Sequence, residues 1–161
     1  MFRLIDSPLG PLRLQASPRG LSRVEFTATG ALQEAAGSAV EGDSEKRSAA
    51  VLDAAQTQLA EYFAGRRRSF ELPLDPPGTP NFRAAVHAQL TEIGYGETVT
   101  YRDVAKRLGR PGATRAVGSA CGANPLLIVR PCHRVLRSDG GLGGYAGGLE
   151  AKRFLLTLEE N

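Results

Sequence analysis

The 161 residues contain only two cysteines, two histidines and one methionine, and no tryptophan. Cys121 and Cys132 are too few for a disulfide framework or a four-cysteine zinc site. Adding His87 and His133 gives a set of potential ligands whose order and spacing fit none of the usual structural zinc patterns, so no metal is expected. Long apolar runs are also missing. None approaches the length that crosses a bilayer, and Met1-Phe-Arg-Leu-Ile-Asp leads directly into a Ser7-Pro8 turn, so a cytoplasmic chain that does not engage membrane is expected. A large charge of one sign is absent too. The formal net charge is +3, with 42% hydrophobic and 23% charged residues, a composition of globular rather than disordered chains. The length suffices for one large domain or two small ones.

The distribution of charge says more than its sum. Residues 1–78 carry nine Lys and Arg against ten Asp and Glu, whereas residues 79–161 carry eleven against seven. Between Tyr101 and Arg137 there are eight basic residues and only Asp103 on the acidic side. Such an excess can supply phosphate contacts; by itself it reads more readily as a solvated basic face.

The first part reads as a small α/β domain with antiparallel strands, residues 1–78. Phe2-Arg-Leu-Ile and Leu12-Arg-Leu-Gln flank the turn-forming Ser7-Pro-Leu-Gly as a hairpin, and Leu21-Ser-Arg-Val-Glu-Phe adds a third strand. Residues 28–46, rich in Ala, Gly, Ser and Glu, lack periodicity and read as a loop or a weak helix. From Ser48, apolar residues at 51, 52, 55, 59, 62 and 63 recur at helical spacing until Gly65. Arg66-Arg-Arg and a strand-like Phe70-Glu-Leu follow. Pro73-Leu-Asp-Pro-Pro-Gly-Thr-Pro blocks both helix and ladder and is the natural linker.

Residues 79–161 read as a mainly helical domain, and the whole chain as α+β. Thr79 as N-cap and Pro80 at the first position would open a helix with Phe82, Val86 and Leu90 on one face, ended by Gly94-Tyr-Gly. Thr100-Tyr-Arg-Asp is a variant capping box that opens a second helix, closed by Gly109. Gly109-Arg-Pro-Gly turns into Ala113-Thr-Arg-Ala-Val-Gly-Ser-Ala-Cys, completing a helix-turn-helix of winged-helix-like type. Many such hairpins never meet DNA, but Ala116, Gly118 and Ala120 would let a partner approach closely. Leu126-Leu-Ile-Val reads as a short buried strand or extended run leading to Pro131-Cys-His-Arg-Val. Six glycines from Gly140 to Gly148 surround Tyr145 without a Walker pattern, which suggests a mobile or tightly turned pocket wall. The chain closes with a helix from Leu149 to Glu159, with Ala151, Phe154, Leu155 and Leu158 facing inward.

A cysteine beside a histidine is by itself weak evidence of a nucleophile, because neighbours on a strand point to opposite faces. The surrounding blocks are more specific. Asn124-Pro125 followed by Ile128-Val-Arg-Pro-Cys-His-Arg-Val resembles the active-site signature of the O6-alkylguanine-DNA alkyltransferase family. Gly96-Glu-Thr-Val-Thr-Tyr, Thr114-Arg-Ala-Val-Gly, Tyr145-Ala-Gly-Gly and Lys152-Arg-Phe-Leu-Leu continue the resemblance in the family's order, closely over the second half of the chain.

The resemblance implies a monomer that binds double-stranded DNA carrying O6-alkylguanine, flips the base, and takes the alkyl group irreversibly onto Cys132 without a cofactor; O4-methylthymine is a further candidate lesion. It makes His133 the base, acting through a water and oriented by Glu159, and Tyr101 the group that neutralises the departing guanine. Asn124 would hold the turn before Cys132. Val135, Tyr145, Ala146 and Lys152 would bind the substrate base. Tyr101, Arg102, Arg110, Arg115 and Ser138 would lie against DNA, with Arg115 in the space of the flipped base and the second helix in the minor groove. Arg130, His87 and Gly94 depart from residues usual in the family, which are aliphatic, Trp and Pro. Cys121 reads as a small packing residue.

Three rival readings differ in kind. A lesion sensor resembling the alkyltransferase-like proteins would lack the acceptor cysteine, which is present here as Cys132. A thiol hydrolase using Cys132 and His133 would leave the helix-turn-helix and basic stretch without a purpose, and a transcription regulator would lack a separate domain.

Overall fold

The computed structural model describes residues 1–27 and 42–160 and divides the chain into two compact units, Met1–Pro77 and Gly78–Asn161. The stretch from 28 to 41, most of the aperiodic segment noted above, lies outside the described residues.

In the first unit, β1 (Phe2–Ile5), β2 (Leu12–Ser17) and β3 (Gly20–Phe26) form an antiparallel sheet in that order. β2 alternates strictly, placing Leu12, Leu14 and Ala16 on the buried face. The helix α1 (Asp43–Phe63) covers that face with Val51, Leu52, Ala55, Leu59 and Tyr62. It starts five residues before the expected Ser48, and Asp43 and Glu45 in its first turn suit the positive end of the helix dipole.

No strand forms at Phe70–Leu72. Gln58, buried on α1, occupies Glu71 in place of a ladder: its Nε2 donates to Glu71 O at 3.1 Å and its Oε1 accepts from Glu71 N at 2.9 Å. The chain pairs with the sheet slightly later. Leu74 bridges Leu21, with Leu21 N donating to Pro73 O and Asp75 N to Leu21 O, both at 2.8 Å. Gly20 permits this approach, since a Cβ there would stand 2.6 Å from the Pro73 carbonyl carbon.

The second unit contains α2 (Phe82–Leu90), β4 (Val99–Thr100), α3 (Tyr101–Arg107), α4 (Thr114–Gly122), β5 (Val135–Leu136) and α5 (Leu149–Glu159). α2, α3 and α4 pack on one another through Val86, Leu90, Val104, Ala105, Val117 and Ala120. α2 begins after Thr79 and Pro80 because Asn81 is the better cap, its side chain accepting from Ala84 N at 3.0 Å. His87 is buried and donates from Nε2 to Ala120 O at 2.6 Å, tying α2 to α4. Gly94 uses an N–H that proline would lack, donating to Glu97 at 3.1 Å.

The capping box at α3 is complete. Thr100 Oγ1 accepts from Asp103 N at 3.0 Å, and Asp103 accepts from Thr100 N at 2.9 Å. α4 follows across the Gly109–Ala113 turn, so the helix-turn-helix is present. β4 and β5 pair in parallel, bringing the start of α3 beside the chain that leaves Cys132. On α5, Phe154 is exposed rather than inward, and Lys152 and Glu159 are buried instead. Helical spacing cannot make that distinction, because it registers only apolar side chains.

Candidate active site

Leu126–Val129 is a turn, not the expected strand or extended run. Arg130 N donates to Leu126 O at 2.9 Å and Val129 N to Leu127 O at 2.8 Å, with Ile128 at φ +72°. A β-branched residue in the left-handed region costs about 1–3 kcal/mol, so the surroundings must impose it. Asn124 does so from the end of α4. Its Nδ2 donates to Arg130 O at 2.9 Å and its Oδ1 accepts from Leu126 N at 3.0 Å, spanning the turn. The chain then enters a 3-10 turn at Cys132–Arg134 rather than a strand, so Cys132 and His133 are not forced onto opposite faces.

Cys132 opens onto a cleft of about 880 Å³. Tyr101 from α3, Arg115 and Cys121 from α4, and Gly143, Tyr145 and Ala146 from the glycine-rich loop stand on its walls. Burial pushes the Cys132 thiol up, against a side-chain hydrogen bond with Asn124 and the positive charge of Lys152, so at rest it holds its proton. Cys121 is pushed up to about 12, chiefly by burial. Tyr101 is likewise raised to about 12 by burial, and its hydroxyl remains a proton donor at any physiological pH.

Behind the thiol lies a closed polar network. His133 Nε2 and Glu159 Oε2 are 2.7 Å apart, both side chains buried. An ionised carboxylate only accepts, so Nε2 carries the proton and Nδ1 keeps its lone pair. That Nδ1 is enclosed and hydrogen-bonds to no protein atom among the described residues. Burial lowers the His133 pKa, more than the hydrogen bond to Glu159 raises it. Arg134 neutralises Glu159 through Nε at 2.7 Å and Nη2 at 3.1 Å, and donates to Ile93 O.

Lys152 is fully buried and gives its protons to the carbonyls of Val135 at 2.8 Å, Gly144 at 3.2 Å and Leu142. It thus fastens the glycine-rich loop to α5 and β5 and does not face the cleft. Val135 is buried as well, its carbonyl taken by Lys152. Of the remaining expected residues, Ser138 lines a smaller neighbouring hollow with Tyr101, while Arg102 and Arg110 are exposed away from the cleft, Arg110 over the Phe82 ring at 5.4 Å. Arg130 is half-buried, also away from the cleft.

Sequence reasoning assigned no role to Arg134, to Gly143, or to Arg137 and Arg153 at the cleft. Arg134 was inside a quoted motif, and its place among apolar neighbours was the available signal for a buried charge. Arg153 likewise stood inside a family-like block, Gly143 among the glycines read as a pocket wall and Arg137 at the end of the basic stretch, but no local signal singled out any of the three.

Fold and site together define a class: an α+β protein whose helical half presents an enclosed thiol, with a histidine held by a carboxylate in the adjoining network. Residues 1–76 match the family model described as 6-O-methylguanine DNA methyltransferase, ribonuclease-like domain, and residues 81–161 match that of its DNA binding domain. The chain is 44% identical to the methylated-DNA–protein-cysteine methyltransferase of Methanosarcina barkeri, over 99% of this chain and 97% of that one. It is 41% identical to the protein of that name from Mycobacterium tuberculosis, over 99% and 92%. The crystal structure of Mycobacterium tuberculosis OGT in complex with DNA superposes with a TM-score of 0.81 at 40% identity, covering 99% of this chain and 92% of that one. The chain belongs to the methylated-DNA–protein-cysteine methyltransferase family.

Proposed function

We propose that this protein repairs O6-methylguanine in DNA by transferring the methyl group irreversibly to its own Cys132, one turnover per molecule, acting as a monomer on double-stranded DNA in the cytoplasm. Residues 79–161 are the DNA-binding and alkyl-transfer domain in this reading, and residues 1–78 the N-terminal α/β domain. The observation that carries it is the join of Cys132 on the cleft wall to His133, whose Nε2 is fixed by Glu159 while its buried Nδ1 stays available.

The chemistry follows from these groups. Cys132 Sγ attacks the alkyl carbon as the carbon–O6 bond breaks, and a carbon–sulfur bond replaces it. The thiol proton passes to His133 Nδ1 through a water, since burial keeps the imidazole uncharged at neutral pH and leaves its Nδ1 lone pair to accept. Tyr101 donates toward the departing guanine. A thioether does not hydrolyse, and among the described residues no side chain at the cleft regenerates the thiol, so the protein is consumed. Arg115, exposed at the second position of α4 and on the cleft wall, supports base flipping by filling the vacated stack. Tyr145 and Ala146 enclose the flipped base, whereas Lys152 and Val135 support that wall from behind. Arg102, Arg110 and Ser138 make the outer DNA contacts.

Peptide mapping after reaction with an O6-methylguanine duplex tests the reading. Trypsin does not cut between Arg130 and Pro131, so the peptide from Ala116 to Arg134 holds both thiols. Fragment ions should place one methyl on Cys132 and none on Cys121. A methyl on Cys121, or an intact lesion, overturns the assignment.

A further inference from the structure

Tyr101 is held between two glycines. On one side, a Cβ at Gly118 would lie 4.0 Å from Tyr101 Cδ1 and Cε1, an ordinary contact. On the other, Gly143 approaches so closely that a Cβ there would lie 2.6 Å from the hydroxyl oxygen and 2.8 Å from Cε2. Gly140, Gly141, Gly144 and Gly148 of the same loop do not meet Tyr101 in this way. Gly140 and Gly148 also have positive φ, yet a Cβ on either would meet nothing within 4 Å.

The loop cannot simply retreat from the ring. Lys152 Nζ holds the carbonyls of Leu142 and Gly144, the residues on either side of Gly143, and its own place is fixed by Val135 O on β5. The same ammonium lies 5.8 Å from the centre of the Tyr101 ring. Gly143 at φ +73° is thereby pressed against the tyrosine at the edge of the cleft that also exposes Cys132.

We propose that Gly143, fastened by Lys152, is a positioning residue that sets where the Tyr101 hydroxyl stands in the cleft. A side chain at 143 would displace that hydroxyl, and with it the donor that meets the departing base. The inference rests on Tyr101 acting as that donor, so its test separates the two claims. The high proton affinity of Tyr101 fits an enclosed hydroxyl, which a displaced ring would lose.

Asparagine tolerates the left-handed backbone better than other substitutes while still presenting a Cβ, so Gly143→Asn probes the contact with little backbone strain. Gly140→Asn is its control. Gly143→Asn should slow single-turnover transfer from duplex O6-methylguanine by about 100-fold, the scale of a lost proton donor, as should Tyr101→Phe. In the Tyr101→Phe background, Gly143→Asn should add less than about threefold, because both act through one hydroxyl. Gly140→Asn should stay within about twofold, since it alters backbone strain alone. A full extra loss in the double variant overturns the proposal and leaves Tyr101 as donor; an unchanged rate in Tyr101→Phe removes the donor and the proposal together. In the unsubstituted protein, nuclear Overhauser contacts should join the Gly143 α-protons to the Tyr101 ring. Their absence overturns the proposal whether or not the variant folds.

Discussion

Arg134 and His133 share one carboxylate: Glu159 accepts from Arg134 Nε at 2.7 Å through Oε1 and from His133 Nε2 at 2.7 Å through Oε2, with all three side chains buried. The arginine neutralises the carboxylate, and the carboxylate orients a histidine that burial keeps uncharged. Glu159→Gln keeps the shape and removes the charge. Transfer should slow by about 100-fold, the scale of a misoriented base. The melting temperature should fall as well, because Arg134 is left as a buried unpaired charge. Single-turnover rates and thermal melts check both, and a normal rate in the folded variant would mean that Glu159 does not serve the base.

Arg115 separates base flipping from thiol chemistry. It stands on the cleft wall at the start of α4 and is not among the side chains His133, Arg134 and Glu159 that form the buried network behind Cys132. Arg115→Ala should react almost normally with free O6-benzylguanine, while its rate on a duplex lesion falls by about 100-fold, reflecting a few kcal/mol of unstacking that are no longer offset. Equal losses on both substrates would assign Arg115 to the pocket. A loss of affinity alike for damaged and undamaged DNA, with a smaller salt slope, would assign it to phosphate.

The pH profile follows from two opposite shifts. Burial holds His133 below its usual 6.5, so the proposed base is neutral above that value and gains its proton only further down. Burial lifts Cys132 above its usual 9.0, so thiolate does not accumulate at neutral pH. The transfer rate should be flat above pH 6.5 and decline below it. A rise that tracks an ordinary thiol titration would instead mean that free thiolate attacks.

Stability has a related window. His87 and His133 both have depressed pKa values when folded, so the unfolded chain binds protons first as pH drops through 6.5. Their contribution is complete above 6.5 and is lost as pH falls toward the folded values. Melting temperatures measured down to mildly acidic pH should therefore decrease, and His87→Gln should flatten part of the slope.

Lys152→Met tests the anchor of the glycine-rich loop. It leaves the carbonyls of Val135, Leu142 and Gly144 without their buried donor, each worth about 1–3 kcal/mol. A loss above about 3 kcal/mol is a large share of a typical domain's stability, and should appear as a drop in melting temperature of about 10 °C or as failure to fold. An unchanged melt would show that the loop holds itself.

Local signals made much of the fold legible. The alternation at Leu12, Leu14 and Ala16 marks β2, and the Thr100 and Asp103 pair marks the start of α3, because each depends on residues within one strand or turn. The sequence blocks likewise pointed to the family and to Cys132. Tertiary structure decided what depends on distant partners. Leu126–Val129 became a turn because Asn124 satisfies its backbone, and Phe70–Leu72 stayed out of the sheet because Gln58 supplies the hydrogen bonds a neighbouring strand would have given. Lys152 was legible as a member of a motif but not as a buried cation, since the three carbonyls that accept from it are 8, 10 and 17 residues away along the chain. Hydrophobic periodicity registers which face of an element is apolar. It carries no record of a polar group that finds its partners only when separate segments meet, and Glu159, Lys152 and Gly143 take their places by such meetings.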